Sequence, residues 1–168
     1  MEKNAVISII EKIVGTDKIE YISGEIQNCG TKHCKLSEIR GAVYGIAIKL
    51  ERSQKSSFFC DIEEDLRNNT KEQEWISIGD DYYPLYWGKD KNMGLRLHAH
   101  TKTMKSTGTL QLNSNTMSFL KDKEIIYGAI PCMNYEKNEE KLHKRYPDIL
   151  KTKSGDKDEL SIPDMCDE

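Results

Sequence analysis

The chain has no apolar run long enough to cross a bilayer. Its longest, Ala5 to Val14, is broken by Glu11 and Lys12, whereas a spanning helix needs about 20 predominantly apolar residues. No secretory leader pattern is visible either. The five cysteines, Cys29, Cys34, Cys60, Cys132 and Cys166, are odd in number and lack the dense, regular spacing of a secreted disulfide scaffold. Reduced thiols in a cytoplasm are therefore expected. There is no internal repeat and no low-complexity tract. At 168 residues there is also no room for a catalytic domain plus a large separate recognition domain. The expected organisation is one domain over 1–155, with an N-terminal extension over 1–40, a core over about 41–150 and a disordered acidic tail over 156–168.

A strong net charge is also missing, since the formal balance is only -3. That average hides segregation. Lys89 to Lys153 carries 13 Lys or Arg against 7 Asp or Glu, Glu51 to Asp81 carries 4 against 9, and the tail after Gly155 carries one lysine against six acids. The basic third suits a polyanion and the acidic parts would face away from it. Charge alone serves equally well as a solvated surface with no partner.

Periodicity outlines an α+β chain. Val6, Ile9, Ile10 and Ile13 fall at helical spacing and stop at Gly15, which predicts an amphipathic helix. Ile19 to Arg40 is mixed, with turn signals at Ser23-Gly24 and Cys29-Gly30. Val43 to Leu50 alternates as a strand with Tyr44, Ile46, Ile48 and Leu50 on one face. Glu51 to Asp81 is polar and acidic and reads as an insertion between two sheet elements, with a short helix around Asp61 to Asn68. Tyr82 to Trp87 predicts a second strand, in which Pro84 favours an edge or a strand start and which Gly88 ends. A helix capped by Asn92 is expected to run to about Met104, with Arg96 and His100 four apart on one face. Thr101 to Thr116 is expected to be a loop. Glu124 to Ile130 reads as a strand, and Asn134 to Tyr146 as a charged helix stopped by Pro147.

The sequence of features, a strand with Tyr44, a strand with Tyr86, a helix with Arg96 and His100 and then a helix with glutamates, resembles the GIY-YIG nuclease family. Ala42-Val43-Tyr44 stands where that family has its first tripeptide, and Tyr86-Trp87-Gly88 where it has the second. Counted from Tyr86, the family's lysine falls at Lys89, its asparagine at Asn92, its arginine at Arg96 and its histidine at His100, all without a gap. Neither tripeptide matches literally, and Tyr44 and Tyr86 lie 42 residues apart where the compact family core has a short hairpin. Its metal-binding glutamate begins a Glu-x-x-Leu step in a helix closed by a proline. Glu139 with Leu142 and Pro147 fits this best, with Glu136 and Glu140 as rivals. The resemblance covers roughly Gly41 to Leu150 and implies a small central antiparallel sheet flanked by helices. The first forty residues would be a helical extension, and 51–81 an insertion between the first two core strands.

The activity implied is metal-dependent hydrolysis of DNA phosphodiesters, which needs a nucleophilic water, an in-line approach and neutralised phosphoryl charge. The resemblance makes Tyr86 the general base, Arg96 the fork that grips phosphoryl oxygens, and Glu139 the ligand of one Mg2+ or Mn2+. Tyr44 and His100 would orient phosphate or water, and Lys91, Lys102 and Lys105 would contact the DNA backbone. A free phenol has a pKa of about 10, so ionising Tyr86 at pH 7 costs about 4 kcal/mol. Lys89, three residues on, would ease that cost. Taken singly, a tyrosine on a strand is usually core and a lone Arg or Glu usually surface. The joint spacing is what raises them.

With no appended recognition domain, the implied enzyme is a type II restriction endonuclease cutting double-stranded DNA. A homodimer would match a palindromic site, and a cognate DNA methyltransferase would protect the host. The alternatives are a homing or mobile-element nuclease of the family, or a non-cutting nucleic-acid-binding module that keeps the fold. Cys29, His33, Cys34 and Cys60 form a second candidate, a structural zinc site without Cys-x-x-Cys knuckles.

Overall fold

The alternating run after Gly41 becomes the centre of the protein in a computed structural model, which describes residues 3–15, 20–26, 41–62, 64, 66–90, 120 and 122–150. Strand β2 (Ala42–Lys49) lies between β3 (Tyr82–Asp90) and β4 (Ile125–Pro131), and the strand β1 (Ile22–Glu25) adds to the far side of β4. All three pairings are antiparallel, giving the order β1-β4-β2-β3. Helices α1 (Ala5–Val14), α2 (Lys55–Asp61) and α3 (Tyr135–Arg145) complete an α+β fold among the described residues. No helix among the described residues is long and apolar enough to cross a membrane.

The expected N-terminal helix is present with both ends specified. Asn4 caps it by accepting the Ile7 amide at 3.0 Å, and its amide group donates to the Tyr127 carbonyl of β4 at 3.0 Å. Gly15 ends it in the left-handed conformation at φ 66°, its N–H returning to the Glu11 carbonyl. The buried stripe Val6, Ile7, Ile9, Ile10 and Ile13 joins Val43, Ala47, Trp87, Ile126, Ile130 and Leu142 of α3, so α1 and α3 share one face of the sheet. The opposite face of β2 carries Tyr44, Ile46 and Ile48, with Leu50 following, as the alternation required.

Three expectations need correction. Residues 20–26 are not a turn around Ser23-Gly24, because Gly24 sits within β1 opposite Tyr127. A Cβ there would lie 3.3 Å from the Tyr127 hydroxyl, so this glycine makes room for a ring rather than a bend. The helix expected around Asp61 to Asn68 lies earlier, over Lys55–Asp61, within the insertion between β2 and β3. Phe58, Phe59, Ile62 and Trp75 pack with Tyr83, Leu85 and Ile48 to cover the second face of the sheet. Trp75 is fully buried and its indole N–H donates to the Pro84 carbonyl at 2.6 Å. The acids that dominate the composition of this segment hide a few large apolar side chains, and those decide where it goes. Finally, Gly88 does not end β3, which runs on to Asp90.

Of the two positions that Pro84 favours, an edge or a strand start, β3 takes the edge, since it is the last strand in the order among the described residues. Its outer side is covered within the chain. Leu150 N–H donates to the Leu85 carbonyl at 3.1 Å, and Asn68 N–H donates to the Ile149 carbonyl at 2.8 Å. Residues 148–150 thus close an edge that would otherwise offer unpaired amides to other chains. The helix Asn92–Met104, the loop Thr101–Thr116 and the tail 156–168 lie outside the described residues.

Trp75→Ala is expected to cost about 3–5 kcal/mol of stability in urea denaturation, the loss typical of a large buried aromatic. An unchanged midpoint would mean that Trp75 does not anchor segment 51–81 to the sheet.

Candidate functional site

Tyr44 and Tyr86 meet because β2 and β3 are neighbours. Their ring centroids are 6.2 Å apart, tilted by 36°, and both rings are buried, to 2% and 6% exposure. Two local features bring them together. A register shift between Ile46 and Ala47 leaves Leu85 extra on β3, since Ile46 pairs with Tyr86 and Ala47 with Pro84. This bulge puts Tyr86 on the same face as Leu85 and Tyr44. Gly88, paired with Tyr44, leaves space for its ring, and a Cβ at Gly88 would fall 2.3 Å from Tyr44 Cζ. The glycine read as a strand end is therefore the floor beneath a tyrosine.

Lys89 points the other way. It pairs with Val43, a residue of the α1 and α3 face, so strand alternation sets Lys89 opposite to Tyr86. Its Nζ lies 4.0 Å from Glu136 Oε1, an exposed pair that contributes little by itself. Instead of lying beside the Tyr86 phenol, the cation faces the glutamates of α3.

The three glutamates are now distinguishable. Helix α3 buries Asn138 and Leu142, with the Asn138 amide group donating to Cys132 Sγ at 3.5 Å. Glu136 and Glu140 are exposed, whereas Glu139 is half-buried beside the inward stripe. Burial raises the Glu139 carboxyl above its ordinary value, with His143 and Lys89 opposing and Asp148 and Glu140 reinforcing.

Two residues that the sequence reading did not assign sit beside it. His143, one turn after Glu139, places Nδ1 3.2 Å from Asp148 Oδ1. Asp148 is 4% exposed, and its other oxygen accepts the Trp87 backbone N–H at 2.8 Å. Burial, the largest influence on the imidazole, pulls its pKa down. The hydrogen bond and charge of Asp148, the charge of Glu139 and a bond to the Trp87 backbone outweigh it, so the net shift is upward. An acid between Pro147 and Ile149-Leu150, five residues past a helical histidine, was the available signal.

No group of three or more His, Cys, Asp and Glu positioned to hold one ion occurs among the described residues. Mg2+ usually retains several waters and asks for one or two carboxylates, a requirement that the half-buried Glu139 fits. Arg96, His100, Lys91, Lys102 and Lys105 lie outside the described residues, as do Cys29, His33 and Cys34 of the zinc candidate. Cys60 is exposed and Cys132 is buried. No protein-family model matches the chain, and neither a curated protein nor a solved structure matches it.

The upward shift of His143 has a definite sign in stability. The folded protein holds the imidazole proton more tightly than the unfolded chain does, so this contribution is complete below about pH 6.5. It is lost as pH rises through the raised folded value. Urea denaturation across pH is expected to show the wild type losing stability relative to His143→Gln over that window. Parallel curves for the two proteins would contradict the assignment.

Proposed function

We propose that the chain is a metal-dependent DNA endonuclease of the GIY-YIG type, acting as a type II restriction enzyme. The observation that carries this is the unbroken run Tyr86, Lys89, Asn92, Arg96 and His100, together with the packing of Tyr86 against Tyr44 on adjacent antiparallel strands. The half-buried Glu139 on the helix beside β3 supports it and is preferred over Glu136 and Glu140.

In this reading Tyr86, as the phenolate, takes the proton of the attacking water and becomes the phenol, and Tyr44 holds the Tyr86 ring in place. Arg96 grips the phosphoryl oxygens and follows their charge into the transition state, while His100 orients the phosphate. Glu139 would hold Mg2+ or Mn2+, which when bound neutralises phosphoryl charge and acidifies water. Lys89 tempers the negative charge of the α3 glutamates rather than that of Tyr86. Tyr86 lies on one face of β3 and the helix that carries Glu139 packs on the other, so a phosphodiester served by both must be approached from both sides of that strand. Lys91, Lys102 and Lys105 contact backbone phosphates. A homodimer cuts both strands of a palindromic site, and a cognate DNA methyltransferase protects the host.

A second reading is favoured by one observation, the burial of Tyr86 on the face away from Glu139. A binding module that keeps the fold without cutting would have no need to join them.

Unmethylated phage DNA incubated with the purified protein and Mg2+ separates the readings. Discrete fragments are expected; a smear or nicked circles would point to a less specific nuclease of the family. No cutting at any salt or metal tried, with DNA binding retained, would establish the non-cutting module. Tyr86→Phe, Arg96→Ala and Glu139→Gln should each abolish cleavage in folded protein, whereas Glu136→Gln and Glu140→Gln should retain most of it. Full activity in Tyr86→Phe would remove the proposed base.

A further inference from the structure

Asp148 is the point at which three separately encoded elements are tied together. One carboxylate oxygen accepts the Trp87 N–H of β3 at 2.8 Å. The other faces His143 Nδ1 of α3 at 3.2 Å and Asn68 Nδ2 of segment 51–81 at 3.3 Å. The Asp148 backbone carbonyl is held from the same segment, by Asn68 Nδ2 at 2.7 Å and the Thr70 hydroxyl at 2.7 Å. Asn68 is itself fixed by accepting the Thr70 N–H at 2.8 Å. The residue is 4% exposed, so these partners replace water almost completely.

The place of attachment matters. Trp87 stands between Tyr86 and Gly88 on the edge strand, and His143 stands one turn from Glu139 on α3. Trp87 is gripped a second time, its indole N–H donating to the Tyr146 carbonyl at 2.7 Å. A carboxylate bonded to both the strand and the helix fixes the end of β3 relative to α3, and it does so on a side chain locked by segment 51–81. Interactions of a charged acceptor with three donors in a buried setting are among the stronger hydrogen bonds a protein makes.

We propose that Asp148 is a positioning residue that registers the Tyr86 strand against the Glu139 helix, with Asn68 and Thr70 making segment 51–81 part of the same clasp. Its effect on catalysis rests on the nuclease reading above; the clasp itself does not. Asp148 touches no substrate in this scheme. It acts through Trp87 and His143.

Asp148→Asn keeps the size of the side chain while removing its charge and one acceptor. Hydrogen exchange at the Trp87 amide, read by NMR in the full chain, is expected to accelerate about 10- to 100-fold, the range for losing a bond to a charged partner. Asn68→Ala removes the support from the other side while leaving Asp148 and its bond to Trp87 in place, and should accelerate the same amide by a smaller factor. It also keeps the test decisive should Asp148→Asn fold poorly. For cleavage of plasmid DNA, kcat should fall roughly 10- to 100-fold with KM unchanged, as when groups that orient a site residue are lost. Unaltered Trp87 exchange in Asn68→Ala and in folded Asp148→Asn would overturn the clasp. Faster exchange with unchanged kcat would overturn its role in positioning while leaving the nuclease reading intact. A wild type that never cuts, yet shows the exchange response, would overturn the nuclease reading and leave the clasp standing.

Discussion

Strand β2 is buried on both faces, and the rest of the molecule is arranged to satisfy that constraint. Ile46, Ile48 and Leu50 on one side and Val43 and Ala47 on the other are all fully buried. Each large aliphatic side chain removed from water contributes about 1.5–3 kcal/mol. Such a strand must be paired on both edges and covered on both faces. Strands β3 and β4 supply the edges, α1 and α3 one cover, and segment 51–81 with residues 148–150 the other. A slip of one residue in register would exchange the two apolar sets, so packing holds Tyr44 opposite Gly88 as firmly as hydrogen bonding does.

Much of this was legible where the signal is local. The stripe of α1, its glycine cap, the alternation of β2 and the proline after α3 act within a few residues, and they appear where expected. The edge position of Pro84 belongs to the same group. Features that depend on a distant partner were not legible. Gly24 and Gly88 look like turn or stop signals until the rings of Tyr127 and Tyr44 are placed over them. Phe58 and Trp75 were outnumbered by acids in composition, yet burial is decided by where large apolar groups can go, not by a majority. In the candidate site, the meeting of Tyr44 and Tyr86 followed from strand order. The partner of Lys89 did not, because three residues along a strand reverse the face. His143 and Asp148 are brought to Trp87 by tertiary packing, which spacing along the chain does not encode.

The electrostatics on the α3 side have a consistent pattern. A half-buried carboxyl at Glu139 is disfavoured as an anion, and the basic groups that act on it, His143 and Lys89, both oppose that penalty. His143 also occupies the last turn of α3 with Lys144 and Arg145, where the helix dipole welcomes positive charge. Asp148 then balances the histidine from outside the helix. Acid and base alternate from the strand edge to the helix end, so removing any one leaves a neighbour uncompensated.

The strand order β1-β4-β2-β3 also has a temporal meaning. Strand β4 separates β1 from β2, so Ile22 to Glu25 find their partner only after residues 126–129 have left the ribosome. The outer side of β3 waits longer still, for Leu150. A growing chain can close the β2 and β3 pair early, but until β4 arrives its central strand has one bare edge. Assembly of the sheet is thus a late, long-range event, of the kind that folds slowly and is most exposed to aggregation before it completes.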